Sequence, residues 1–219
     1  MRNYIKKILH LLVLSVCSLA QAGSYEDFFG AVKQDDAQTV NALLRRGFDP
    51  NAPDPKGLSG LYLALRDQAL NTAAVLIAWP KTNVEIRTPQ DESPLMMVSL
   101  KGHLELARKL IERGADVNKT GWTPLHYAAT NGHLAVIELL LEQHAYIDAE
   151  SPNGSTPLMM AAHYGTPAAV KLLLEAGADP LIRNQLGLTA IDFANRGNRK
   201  DSAELIAGFV RRGRPKGKW

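Results

Sequence analysis

Six histidines, one cysteine and a Gly57-Leu58-Ser59-Gly60 stretch are the groups of this chain best suited to chemistry. Imidazoles hold a metal when two share a helix face, as in His-Glu-x-x-His, where residues four apart point the same way. None of His103, His126, His133, His144 and His163 has a partner at such a spacing, so no metal site and no cofactor are expected. A nucleophile elbow reads Gly-x-Ser-x-Gly and lifts its serine on a strained turn. Here the residue between Ser59 and Gly60 is missing, and Ser59 reads instead as a helix cap. There is no phosphate-binding glycine loop, and the acidic residues are scattered with no acid–base pair among them. No catalytic constellation can be assembled, and the chain is not expected to be an enzyme.

The first 22 residues stand apart. Arg2, Lys6 and Lys7 precede an apolar run from Ile8 to Ala20, and Ala20-Gln21-Ala22 offers small residues for cleavage. This is the pattern of a secretory signal peptide. The 13-residue run falls short of the roughly 20 that span a bilayer. Cys17 follows Val16, which is larger than the residue usual before a lipid-modified cysteine. Cleavage near Ala22-Gly23 removes Cys17, leaving no thiol nucleophile, no thiolate ligand and no disulfide. It also removes three of the 25 basic residues and none of the 22 acids, so the remainder is neutral. The charge is unevenly placed. Arg211 to Trp219 holds five basic residues and no acid, and the body from Gly23 to Val210 has 17 bases against 22 acids.

Stepping along the body, one text recurs. Copies open at Glu26, Ser59, Ser93, Thr123, Thr156 and Thr189, spaced 33, 34, 30, 33 and 33 residues apart. Ser or Thr at the opening caps a helix by accepting an otherwise unpaired N–H. Pro94, Pro124 and Pro157 follow, where a missing N–H costs nothing. Ala128-Ala129 and Ala161-Ala162 permit close helix approach. Leu139 to Leu141 and Leu172 to Leu174 lie in a second helix. Gly47, Gly114 and Gly177 end that helix in a left-handed conformation. Asn153-Gly154 and Leu186-Gly187 then turn the chain as a finger.

A period near 33 with Thr123-Pro124-Leu125-His126 and Gly132-His133 resembles the ankyrin-repeat family. The resemblance runs from about Ser24 to Val210 and implies an all-α repeat solenoid. Six helix-turn-helix copies with β-hairpin fingers are expected, the end copies degenerate. The chain then divides into a signal (1–22), a repeat domain (23–210) and a basic tail (211–219) expected to be disordered. The resemblance implies structural roles for Thr123, Pro124, His126, Gly132, His133, Gly114 and Gly177, with His126 bonded to backbone and to the capping Thr. It also implies partner binding along the fingers and first helices, which selects Lys101, Trp122, Thr130, Asn131, His163, Tyr164 and Leu188.

Three departures stand out. The 30-residue step places a three-residue deletion in the finger before Trp122. Trp79-Pro80 replaces a stop glycine, so that helix should end near Trp79. His144 replaces another, which predicts a left-handed histidine. Met96-Met97 and Met159-Met160 fall in equivalent places, where one of each pair stands in for His126 and packs between repeats.

These readings converge on an exported, periplasmic or secreted protein-binding scaffold, expected to be monomeric. The partner is a protein and not nucleic acid, with membrane contact through the basic tail as a further option. The alternatives are an accessory factor that supports or protects an exported enzyme, for instance in stress defence, and a secreted effector or inhibitor.

Overall fold

A computed structural model describes residues 23–213. The expected signal sequence and residues 214–219 of the expected tail lie outside them. The architecture is an all-α repeat solenoid whose helices come in pairs. The chain divides after Asn83 into two compact units.

The first unit holds a helical segment at 23–33 (α1), α2 (Ala37–Arg45), α3 (Gly60–Arg66) and α4 (Leu70–Ala78). Glu26 lies inside α1, not at its start. Phe28 is fully buried and stacks on Phe48, with ring centroids 4.4 Å apart. A Cβ on Gly60 would meet the Phe28 ring at 2.6 Å, which explains why this copy opens with Ser-Gly where others have Ser-Pro or Thr-Pro. No side chain of its own caps α4. Asp35 of the preceding copy does so, accepting from the Thr72 N–H at 2.8 Å and the Asn71 amide at 2.8 Å. Trp79 is extended ahead of Pro80 and ends α4, as the steric clash with proline requires.

The second unit holds α5 (Pro94–Lys101), α6 (Leu104–Glu112), α7 (Pro124–Asn131), α8 (Leu134–Glu142), α9 (Pro157–His163), α10 (Pro167–Glu175), α11 (Ala190–Arg196) and α12 (Lys200–Arg212). First helices pack in sequence, α5 on α7 on α9 on α11, and second helices flank them. Leu95, Leu125 and Leu158 recur at one position and are wholly buried, as are Ala128, Ala129, Ala161 and Ala162. Gly114 and Gly177 take φ of 88° and 107°, and His144 takes 61°, as the sequence predicts. Arg211 and Arg212, expected to begin the tail, are the last residues of α12.

The fingers differ from the expected β-hairpins. Among the described residues they are tight turns, with one isolated bridge between Pro53 and Ser59. Each is closed by two backbone bonds at 2.7 to 3.0 Å: the N–H of 54, 88, 151 or 184 donates to the carbonyl four residues on, and the N–H three residues on donates back to the carbonyl of that head residue. A head residue reinforces it. Asp54, Thr88 and Asn184 each accept amides two and four residues on, and Ser151 accepts that of Ser155. Proline at 53, 55, 89 and 152 removes donors that a longer ladder would need.

The segment 118–122 has no such closing bond. Three residues before the heads Asp54, Thr88 and Ser151 sits a second polar residue, Asn51, Glu85 or Asp148, which reaches into the next copy's loop. The three-residue deletion fuses these two positions at Asn118. Asn118 keeps the second task, bonding the His144 carbonyl and the Tyr146 N–H. Lys119 substitutes for the lost head: its ammonium donates to the Thr120 carbonyl and pairs with Asp91 of the preceding finger.

Candidate binding surface

The surface selected by sequence is carried by the openings and ends of α5, α7, α9 and α11. Each of these helices opens with a reciprocal cap. The Ser93, Thr123 and Thr156 hydroxyls accept the N–H three residues on, and the residue found there accepts the cap's own N–H. That residue is Met96, His126, Met159 or, in α11, Asp192. The two methionines therefore stand in for His126 through their thioether sulfurs, and both are about 1% exposed.

His126 is fully buried. Its Nε2 lies 2.9 Å from the Ser155 carbonyl of the next finger. A carbonyl only accepts, so Nε2 carries the proton and Nδ1 is bare to receive the Thr123 N–H. Burial pushes its pKa down to about 4, against the smaller opposing effect of the Ser155 and Ala149 carbonyls. A neutral, buried, doubly bonded imidazole is a brace and has no access to substrate. His133 caps nothing with its side chain but donates from Nε2 to the Leu100 carbonyl of the preceding copy at 2.9 Å. Gly132 takes φ of 69° beneath Thr166, whose hydroxyl a Cβ would meet at 2.7 Å.

The seven partner-facing candidates divide. Trp122 is half-buried, its ring edge-on to His126 at 5.3 Å. Thr130 is turned inward, donating to the His126 carbonyl. Asn131 is exposed but donates to the Leu100 carbonyl at 2.8 Å. Lys101 and Leu188 are half-buried. His163 donates from Nδ1 to the Phe193 carbonyl at 3.0 Å and packs against both the Phe193 and Tyr164 rings. Tyr164 is 54% exposed. Arg199 donates to the carbonyls of both His163 and Tyr164, so the end of α9 is fixed from two sides. The arrangement brings Trp122 to His126, and Tyr164 to His163 and Arg199.

The two most exposed apolar positions, Leu186 and Tyr146, are not among those selected from the sequence. Leu186, at the tip of the last finger, is 75% exposed. Tyr146 is 68% exposed and lines a cleft of about 360 Å³ with Leu141, His144, Ala145 and Ile147. The signal for the second was available. Asp49, Asp116 and Asp179 cap the turn at this position in other copies, and Tyr146 breaks that run.

The comparisons with known proteins agree with this geometry. Family models described as ankyrin repeats (3 copies) match residues 28–120 and 70–151, and one described as ankyrin repeats (many copies) matches 144–194. An ankyrin repeat protein of Rickettsia bellii is 27% identical over 139 residues, covering 58% of this chain and 39% of the relative. A mouse protein, fem-1 homolog A-like, is 38% identical over 112 residues, 50% of this chain and 17% of its own length. The chain thus spans less than half the length of these curated relatives. Two solved structures superimpose with TM-scores of 0.72, each covering 84% of this chain and 97% of the other. One is an ankyrin repeat domain from Acinetobacter baumannii, 26% identical. The other, 28% identical, comes from the predatory endopeptidase of Bdellovibrio bacteriovorus in complex with an immunity protein.

Proposed function

Because the chain belongs to the ankyrin-repeat family, we propose that it is an exported, non-catalytic array that binds and restrains an enzyme in the periplasm. Ankyrin repeats form a protein–protein interaction domain, and the finer reading adds the compartment and the kind of partner.

The observation that carries the reading is the end of α9. Tyr164 is exposed, yet His163 packs on its ring and Arg199 bonds its carbonyl. An aromatic held this way loses little freedom on binding, and preorganised aromatic anchors contribute heavily at interfaces. Export is supported by the basic start, the apolar run and the Ala20-Gln21-Ala22 site. An enzyme as partner is supported by the likeness to a chain of the endopeptidase–immunity protein complex.

The test has two arms. Cells expressing the full chain are fractionated, and the processed form is expected with the periplasmic proteins. Retention of the unprocessed chain in the cytoplasm contradicts export. Exported enzymes recovered with it are then assayed with the purified 23–219 chain. A saturable fall in turnover supports restraint. Unchanged initial rates with longer survival under stress point instead to a protective accessory factor.

A further inference from the structure

The reciprocal caps of the second unit are alike in geometry and unlike in chemistry. In α5 and α9 the acceptor for the cap N–H is a thioether, Met96 Sδ at 3.3 Å from Ser93 N and Met159 Sδ at 3.4 Å from Thr156 N. In α7 it is His126 Nδ1, 3.2 Å from Thr123 N, with the Thr123 hydroxyl 2.9 Å away. The same ring spans to the next copy through Nε2 and the Ser155 carbonyl. Both bonds exist together only while the ring is neutral with its proton on Nε2. A thioether has no such condition, because it does not gain a proton in water at any ordinary pH.

We propose that the cap of α7 is the acid-release point of the second unit: protonation at His126 Nδ1 turns an acceptor into a donor facing the Thr123 N–H and uncaps α7, while the Nε2 bond to the Ser155 carbonyl is kept and the thioether caps of α5 and α9 stay closed.

The surroundings leave the ring to respond alone. The titratable groups on the packed elements are Lys101 of α5, Tyr127 of α7, Glu138 and Glu142 of α8, His163 of α9, Asp148 and Glu150 of the following finger, and Glu92 against Tyr127. None of them is a cause of the His126 shift, which burial dominates. No carboxylate is therefore placed to stabilise the imidazolium. The sign follows from the depressed native pKa. The His126 contribution is fully present above the unfolded value of about 6.5. It is lost as the pH falls towards about 4.

The test exchanges the ring for the side chain its sister copies carry. His126→Met loses the Ser155 bond, so its melting temperature at pH 7.5 is lower, but its cap no longer titrates. Between pH 7.5 and 4.5 the wild type is expected to lose at least about 4 °C more than the variant. Equal losses would overturn the proposal. If the variant fails to fold, nitrogen NMR on the wild type decides. The expected result is a bare Nδ1 at neutral pH, with the Thr123 amide changing ahead of the Ser93 and Thr156 amides as acid is added. An ordinary titration near 6.5 that leaves the Thr123 amide undisturbed, or simultaneous loss of all the caps, would overturn it.

Discussion

Asn118 clamps Tyr146: its side-chain oxygen accepts the Tyr146 N–H at 2.7 Å while its amide donates to the His144 carbonyl at 2.8 Å. The pair fixes the loop that follows α8 to the loop that follows α6. Because of the shortened finger, Asn118 performs this task where no head residue is left to stiffen the turn. Asn118→Ala should cost about 1–2 kcal/mol, the worth of two bonds that water can partly replace. Urea unfolding at neutral pH measures it, and a loss below a few tenths would show that the clamp is incidental.

The regular part of the fold was legible because each signal has a local cause. Ser93, Thr123 and Thr156 cap, Pro94, Pro124 and Pro157 open, and Gly114 and Gly177 close. The two methionines in the place of His126 were also legible, since the period alone puts them there. The fingers do not extend into strands, because closure by two backbone bonds within five residues and a side-chain head leaves no alternating pattern to detect. The candidate surface was only half legible. The period places Thr130 and His163 at helix ends, but whether a side chain turns outward or bonds a neighbouring carbonyl depends on the adjacent copy. Tyr146 stands where other copies carry the turn-capping Asp49, Asp116 and Asp179, and its outward direction depends on the loop geometry and not on the period.

His144 takes φ of 61° at a place where Gly114 and Gly177 serve in other copies. A Cβ in the left-handed region costs about 1–2 kcal/mol. His144→Gly relieves this and pays back part of it in unfolded-state entropy, so a gain of about 0.5–1 kcal/mol is expected. A thermal melt checks the sign, and a lower midpoint for the variant contradicts it.

Gly165 has no positive φ to accommodate, so its need is purely for space. A Cβ there would lie 2.5 Å from the Ala129 carbonyl oxygen and 2.9 Å from the Ala161 Cα. Both are backbone atoms of packed helices and cannot rotate away. Gly165→Ala should therefore destabilise by about 2–3 kcal/mol through overpacking. Gly114→Ala, at a site with open space, should cost only its backbone strain. Chemical denaturation of the two variants side by side reads the difference.

Asp192 accepts the Thr189 N–H at 2.8 Å and the Thr189 hydroxyl at 2.7 Å. The backbone bond, then the hydroxyl, holds its pKa below the ordinary carboxylate value. Its contribution is present above about pH 4, the unfolded value. It is lost as the pH falls through the lower native one. Asp192→Asn should cost about 0.5–1 kcal/mol at pH 7. The difference from wild type should shrink as the pH falls below about 4 and through the lower native pKa. An offset that stays constant with pH would show that charge plays no part in this cap.

The central claim is that the first-helix side of the second unit receives a protein partner outside the cytoplasm. Its most direct test is photo-crosslinking in whole cells. A photoreactive residue replaces Tyr164, exposed at the end of α9, and in a parallel strain Glu138, exposed on α8. The account predicts one discrete adduct from position 164, containing an exported enzyme, and none from position 138. Adducts from 138 alone, or no adduct from either position, would contradict it.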